Sequence, residues 1–221
     1  MRFVFPLVLA LVASGPAMAQ SSAQMTEYQR YTACLQRIER EPLEAYEDAL
    51  SWKYDGGGWP AEHCQALALI EVGDPRTGLA LLEEIASLDR PGLLVQERLG
   101  MWLEAGTTWL ELEDYEAAER SFAVARALVD LSPEAMLGHA RAYLGLEQYA
   151  AAESAASRLI EIYPDHAAAR SARARARLHL GTLDTAMDDI AIAVSAEPDG
   201  VEHYVIRGQI AEAIRRRDAG N

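Results

Sequence analysis

The two cysteines, Cys34 and Cys64, are the side chains of this 221-residue chain with the most readily tested chemistry. They are too far apart for a Cys-x-x-Cys motif, which disfavours an oxidoreductase. The N-terminal residues have the features of a secretion signal, which would place the protein in an oxidising compartment. An even number of cysteines there predicts a disulfide, and two buried free thiols are the alternative. A disulfide that closes a loop of about 30 residues would stabilise the fold by roughly 3–4 kcal/mol on the chain-entropy model.

The sequence contains no motif for metal binding or enzyme catalysis. Its histidines form neither a short ligand pair nor a His-Glu-x-x-His motif: His63, His139, His166, His179 and His203. Adjacent carboxylates such as Glu83 and Glu84 diverge by about 100° on a helix, so they do not face one substrate. The glycine run at 56–58 lacks the Gly-Lys-Ser/Thr continuation of a phosphate-binding loop. We therefore expect no enzyme activity, no metal and no cofactor.

Two arginines, Arg141 and Arg175, have a spacing that suggests a binding site. They are 34 residues apart, with Thr107 one such interval before them and Gln209 one interval after. Two arginines at equivalent positions, flanked by leucines, predict a clamp for a peptide carboxylate or an acidic segment. Alternatively, both are solvated or paired with neighbouring acids. Lys53 is the only lysine, so arginine is expected on any exposed surface of this protein.

A third arginine, Arg173, is expected to have a structural role. It adjoins Ala174, a small residue on the side of its helix that should pack against another helix. We expect an ion pair between Arg173 and Asp188 or Asp189 rather than a contact with a ligand.

The charge of the chain excludes a nucleic-acid partner. There are 20 basic and 34 acidic residues, which give a net charge of −14, whereas nucleic-acid binders are basic. The acidic excess is greatest in the N-terminal half, where it either suits a basic partner or keeps the protein soluble. Aromatic residues make up only 7% of the chain and alanine is abundant, which favours helices over strands.

Residues 1–19 have the features of a cleaved secretion signal. Arg2 precedes an apolar run at 3–13, and a Gly-Pro break and an Ala-x-Ala site follow. The run is too short for an ordinary transmembrane helix, and an uncleaved N-terminal anchor is the alternative. We expect cleavage between Ala19 and Gln20, which makes the mature protein periplasmic or secreted and without an integral membrane segment.

The elements that position these residues are set by a repeat of 34 positions. Small residues recur at this interval at Gly106, Ala140, Ala174 and Gly208, and alanine recurs at Ala118, Ala152 and Ala186. Each unit contains two apolar stripes of helical period separated by a short polar break, for example 134–146 and 149–162. The small residues predict a close approach of two helices, with Gly106 facing Ala118.

This pattern resembles the tetratricopeptide repeat, whose signature is Trp-x2-Leu-Gly-x2-Tyr followed by alanine, an aromatic residue, alanine and proline. One unit follows the signature closely, with Trp102, Ala105, Gly106, Trp109, Ala118, Phe122 and Ala125. The last unit departs from it by placing Arg170, Arg173 and Arg177 where the signature has Trp, Leu and Tyr. The resemblance implies an all-α fold, an α-solenoid of antiparallel helix pairs with about five repeats and a C-terminal capping helix.

The resemblance also implies a division of the chain into a signal, five repeats and a cap. The predicted parts are the signal peptide 1–19, two degenerate repeats with the expected disulfide 20–91, an insertion or helix extension 92–98, three regular repeats 99–200, the capping helix 201–217 and a tail 218–221. Cys34 and Cys64 fall on the first helices of the first two repeats. Their disulfide would therefore join two neighbouring helices.

In this family the first helices line a concave groove, and the exposed face of that groove binds partners. Carried over to this sequence, the groove positions are His63, Leu67, Ile70, Leu103, Thr107, Leu110, Leu137, Arg141, Leu144, Ser171, Arg175, Leu178, Val205 and Gln209. The resemblance implies a periplasmic scaffold that binds a protein or peptide partner in envelope assembly or secretion. The alternatives are a structural subunit or homo-oligomer of a larger envelope complex, and an accessory subunit that positions a periplasmic hydrolase.

Overall fold

The computed structural model describes residues 26–220, which form eleven helices and no strand. The expected signal peptide 1–19 and the cleavage site after Ala19 lie outside these residues. The helices are α1 Glu27–Ile38, α2 Pro42–Tyr54, α3 Gly58–Val72, α4 Pro75–Ser87, α5 Val95–Glu111, α6 Tyr115–Leu128, α7 Pro133–Gly145, α8 Tyr149–Ile162, α9 Ala167–Leu180, α10 Leu183–Ala196 and α11 Val201–Ala219. The predicted all-α class is confirmed.

The helices stack as a solenoid in which each helix packs against the next one along the chain. The odd-numbered helices also contact one another, α1 with α3, α5 with α7, α7 with α9, and α9 with α11. They form one layer, which we call the inner layer, and α2, α4, α6, α8 and α10 form the outer layer. The longest connection between consecutive helices, residues 88–94, separates the first four helices from the other seven.

Local sequence signals define the ends of the helices. Asp74 and Ser132 cap the N-termini of α4 and α7 by accepting hydrogen bonds from backbone N–H groups in the first turn. Proline follows each of these caps at the first helical position. Gly181 ends α9 in the left-handed conformation with φ of +79°, which a residue without a Cβ atom adopts at no steric cost.

Phe122 explains why two inner helices need glycine where they cross α6. A Cβ atom at Gly106 would lie 2.7 Å from the Phe122 ring, and one at Gly138 would lie 2.2 Å from it. The ring is 2% exposed and fills the space between α5 and α7. The three atoms nearest to a Cβ at Gly106 all belong to Phe122, so this large side chain sets the tightest constraint at that position.

The cysteines join the first two inner helices. Cys34 in α1 and Cys64 in α3 form a disulfide in the structure, with their Cα atoms 6.3 Å apart, a separation typical of disulfides. Both cysteines are buried against Ala45, Ala49 and Ala68. The cross-link therefore holds together the N-terminal end of the array, in a core that these alanines share with Ile38.

Candidate partner-binding groove

Two adjoining cavities open along the inner layer, and together we call them the groove. The first, the apolar cavity, has a volume of about 660 Å³ and extends over α1, α3, α5 and α7. The second, the polar cavity, has a volume of about 560 Å³ and extends over α5, α7, α9 and α11. Thr107, Leu110 and Arg141 line both cavities, so the groove is continuous. The volume of each cavity is within the range of sites that bind small ligands.

The apolar cavity is lined by aliphatic side chains with a rim of carboxylates. Its aliphatic residues come from four successive inner helices: Leu35, Ile38, Leu67, Ile70, Leu103, Leu110 and Leu137. Glu71, Glu104 and Glu134 provide the acidic rim. Each inner helix contributes to the same surface because equivalent positions recur once per repeat. The cavity is suited to apolar side chains of a partner.

The polar cavity brings together the two arginines that the spacing singled out. Arg175 donates a hydrogen bond of 2.7 Å to Glu202, which lies in the first turn of α11. Arg141 is exposed, and its side chain makes no hydrogen bond or ion pair with any residue in 26–220. Arg175 is thus already paired, whereas Arg141 presents its donors to solvent.

Aromatic side chains also line the polar cavity. Tyr149 stacks on His179 with ring centroids 4.2 Å apart and an angle of 3° between the planes. Tyr115 lies against α7 at Gly145, where a Cβ atom would be 2.2 Å from the ring. Tyr115 and Tyr149 begin the outer helices α6 and α8. The groove predicted from the sequence used inner helices alone and therefore omitted these two tyrosines. The signal that could have found them is their spacing of 34 residues, which places them at equivalent positions of two repeats.

The predicted groove residues divide into three groups in the structure. Most line the two cavities: Leu67, Ile70, Leu103, Thr107, Leu110, Leu137, Arg141, Leu144 and Arg175. Leu178, Val205 and Gln209 line a further cavity between α9 and α11 at the C-terminal end. His63 and Ser171 line neither the groove nor that further cavity.

His63 is held in a chain of hydrogen bonds. The Tyr31 hydroxyl donates to Nδ1 of His63 over 2.5 Å, and Nε2 of His63 donates to Glu104 over 2.9 Å. Burial, together with the negative charges of Glu104 and Glu97, raises the pKa of Tyr31 to about 12. The hydroxyl therefore remains a donor at neutral pH. His63 is 7% exposed and lies beside the groove, in a small cavity that is also lined by Leu103 and Glu104. Its hydrogen bonds satisfy both of its ring nitrogens.

Ser171 is in a similar arrangement at the other end of the array. Its Oγ donates to Nδ1 of His203 over 2.6 Å, and Nε2 of His203 donates to Glu197 over 3.2 Å. The serine is 2% exposed and the histidine 4% exposed. A serine buried to this degree is not accessible to a substrate, so the contact holds α9 against α11. Its assignment to the binding surface is corrected for the same reason.

The expected ion pair of Arg173 is confirmed for Asp189 rather than Asp188. Arg173 donates to both carboxylate oxygens of Asp189, over 2.7 and 2.6 Å. Arg170 and Arg177 also donate to this carboxylate, over 2.8 and 2.7 Å. Asp189 is 2% exposed, so three arginines neutralise and hydrogen-bond one buried charge. They replace the apolar residues of the repeat signature with a polar contact between α9 and α10.

Residues 26–220 contain no metal-binding cluster and no membrane-spanning helix. No group of three or more histidine, cysteine, aspartate or glutamate side chains is arranged to hold a metal ion. No helix in that range combines the length and the apolar character needed to cross a lipid bilayer.

Sequence comparison matches part of the chain to a repeat family. Residues 137–201 match the family model described as tetratricopeptide repeat. Protein unc-45 homolog B of the mouse, Mus musculus, is 40% identical over 98 residues, which are 43% of this chain and 10% of that protein. The human protein of the same name is 39% identical over the same length. The match thus spans about a tenth of the length of these curated relatives.

Structure comparison extends the similarity to most of the chain. YrrB, described as a TPR protein with an unusual peptide-binding site, has a TM-score of 0.64 and 13% identity, covering 83% of this chain and 92% of that one. The first TPR of Spaghetti (RPAP3), solved with the HSP90 peptide SRMEEVD, has a TM-score of 0.50 and 23% identity, covering 53% and 93%. At these identities the likeness establishes the fold alone, an α-solenoid of antiparallel helix pairs similar to those of these TPR proteins.

Proposed function

We propose that this protein is a secreted, periplasmic scaffold that binds a segment of a protein partner in its groove and serves envelope assembly or secretion. The observation that carries the proposal is the continuity of the groove across six inner helices, with aliphatic side chains open at one end and polar side chains at the other. Such a mixed surface suits an extended or helical peptide. The peptide bound by Spaghetti supports the same mode of recognition on the same fold.

The proposed location rests on the N-terminal sequence and on the cysteines. An apolar run followed by an Ala-x-Ala site is typical of a cleaved signal. A disulfide between Cys34 and Cys64 is consistent with an oxidising compartment. Fractionation of the native host, with N-terminal sequencing of the mature protein, tests this. We expect Gln20 as the first residue in the periplasmic fraction, and an intact N-terminus in the cytoplasm would contradict the proposal.

Filling the centre of the groove tests the binding function. Thr107 is exposed and lines both cavities, so Thr107→Trp would occupy the space without removing a core contact. Ser154→Trp is the matched control, because Ser154 is exposed on the outer helix α8. We expect the wild type and Ser154→Trp to capture the same envelope proteins, and we expect Thr107→Trp to capture none of them. Equal capture by all three proteins would show that the groove does not bind the partner.

A structural role is a second candidate, and the exposed end of the array favours it. Val201, Tyr204 and Val205 of α11 are 75%, 41% and 53% exposed, and no following helix covers them within residues 26–220. Contiguous exposed apolar residues often mark an interface. Light scattering of the mature protein decides between the candidates, because a stable oligomer at low concentration is expected only of the structural role.

A further inference from the structure

We infer that the segment bound in the groove is basic and apolar rather than acidic. The inference rests on the proposed function, and it names the chemistry of the partner. It follows from the charges that line the two cavities and from their position relative to the aliphatic side chains.

The charge of the groove is negative despite its two arginines. Six glutamates line it: Glu71, Glu104, Glu111, Glu134, Glu147 and Glu202. Arg141 and Arg175 are the only lysine or arginine side chains that line either cavity among the described residues. Six glutamates against two arginines leave four negative charges. A groove that clamps carboxylates would need more arginine and lysine than glutamate in its lining.

The arginines have unequal capacity for an anion. Arg175 is within 2.7 Å of Glu202, so a carboxylate from a partner would have to compete with one already present. Arg141 is without such a partner in residues 26–220, but it lies where the two cavities meet and is outnumbered by carboxylates on both sides. The HSP90 peptide bound by Spaghetti, SRMEEVD, has three acidic residues. In this groove, those residues would face an excess of like charge.

The carboxylates of the apolar cavity have oxygens available for a cation. Glu71 is exposed, and its side chain makes no ion pair within the described part of the chain. Glu104 uses Oε2 to accept from His63, and Glu134 uses Oε2 to accept from the Ser132 hydroxyl. Oε1 of each is therefore free of these bonds. Lysine and arginine side chains of a partner would reach these oxygens from the rim.

The position of the carboxylates defines the pattern of the partner. Glu71, Glu104 and Glu134 line the same cavity as the leucines, so cationic and apolar side chains of one segment would be bound together. The net charge of −14 adds a long-range attraction for a basic partner. A segment in which aliphatic residues alternate with lysine or arginine fits both features.

Selection from a random linear peptide library, displayed on phage, tests the inference. The bait is the mature wild-type protein with its disulfide intact. We expect selected peptides to be enriched in lysine, arginine and aliphatic residues and depleted in aspartate and glutamate. Enrichment of acidic residues, or no preference for charge, would overturn the inference while leaving peptide binding in place. Selected peptides that bind Thr107→Trp as well as the wild type would overturn the proposed function itself.

A charge-neutral variant identifies which carboxylates are responsible. In Glu71→Gln/Glu104→Gln/Glu134→Gln the affinity for a selected lysine peptide should fall about tenfold, at roughly 0.5 kcal/mol per exposed pair. The salt dependence of binding should fall with it. The matched control removes three charges from the outer helices α4, α6 and α8: Glu84→Gln/Glu116→Gln/Glu161→Gln, all at exposed positions. An equal loss in both triple variants would show that overall charge, and not the groove, attracts the peptide.

Discussion

At the scale of single residues, Asp189 is a buried carboxylate whose charge depends on three neighbouring arginines. Its burial opposes ionisation, but hydrogen bonds from Arg173 and Arg170 and the charges of Arg173 and Arg177 outweigh that effect and lower its pKa. The same contact raises the pKa of Arg173. The carboxylate therefore stays ionised and holds three side chains of α9 against α10.

The variant Asp189→Asn should be destabilised by about 3 kcal/mol at neutral pH, because three buried arginine contacts lose their counter-charge. Asp188→Asn is the control, because Asp188 is the exposed neighbour on the same helix. Urea denaturation measures both. A loss for Asp189→Asn no larger than that for Asp188→Asn would contradict the structural role of the arginine cluster.

The difference between wild type and Asp189→Asn should depend on pH. The pKa of Asp189 is lower in the folded protein than its ordinary value of 3.8, so the ionised carboxylate stabilises the fold above that value. As the pH falls below 3.8 and through the pKa of the folded state, the contribution is lost. The two proteins should therefore converge in stability at the lowest pH at which both remain folded.

At the scale of elements, close helix packing depends on which side chain faces each small residue. Gly106 and Gly208 occupy the same column of the repeat, but a Cβ atom at Gly106 would meet Phe122 whereas one at Gly208 would meet nothing within 4 Å. The repeat pattern alone treats these two positions as equivalent. Their packing differs because α11 is followed by no outer helix in the described chain.

Alanine substitution at these two glycines should change stability in opposite directions. Gly106→Ala should lose about 1–3 kcal/mol, because Phe122 must move in a filled core. Gly208→Ala should gain about 0.5–1 kcal/mol, because alanine is the better helix former and the site is open. Thermal and urea unfolding of the two variants provide the measurement. Equal effects would show that Phe122 accommodates the added methyl group.

The sequence predicted elements better than it predicted the surface they form. The helix at 149–162 agrees with α8, and the cysteines were placed on neighbouring inner helices that do contact each other. The groove prediction was wrong at Ser171, since its buried hydrogen bond to His203 connects residues far apart in sequence. A repeat column gives a position on a helix, but the rotation of that helix depends on such contacts.

At the scale of the whole molecule, the disulfide should matter more for the N-terminal end than for the rest of the array. Repeats interact only with their neighbours, so a cross-link stabilises the repeats it joins most strongly. Reduction, or Cys34→Ala with Cys64→Ala, should cost about 3 kcal/mol. Hydrogen exchange should increase in α1 to α3 while α9 to α11 change little.

Mass spectrometry of the unreduced mature protein checks the premise of that prediction. A disulfide lowers the mass by two hydrogen atoms relative to the reduced form. Free thiols in protein purified from its native host without reductant, or exchange that increases evenly along the chain after reduction, would contradict the prediction.

The negative charge of the groove also bears on how copies of this protein behave toward one another. The chain has a net charge of −14, so the surface that a second copy presents is itself acidic. Six glutamates along the groove would repel that surface, most strongly at low ionic strength. The aliphatic lining is thus a poor site for a second copy of this protein, and added salt should weaken that repulsion.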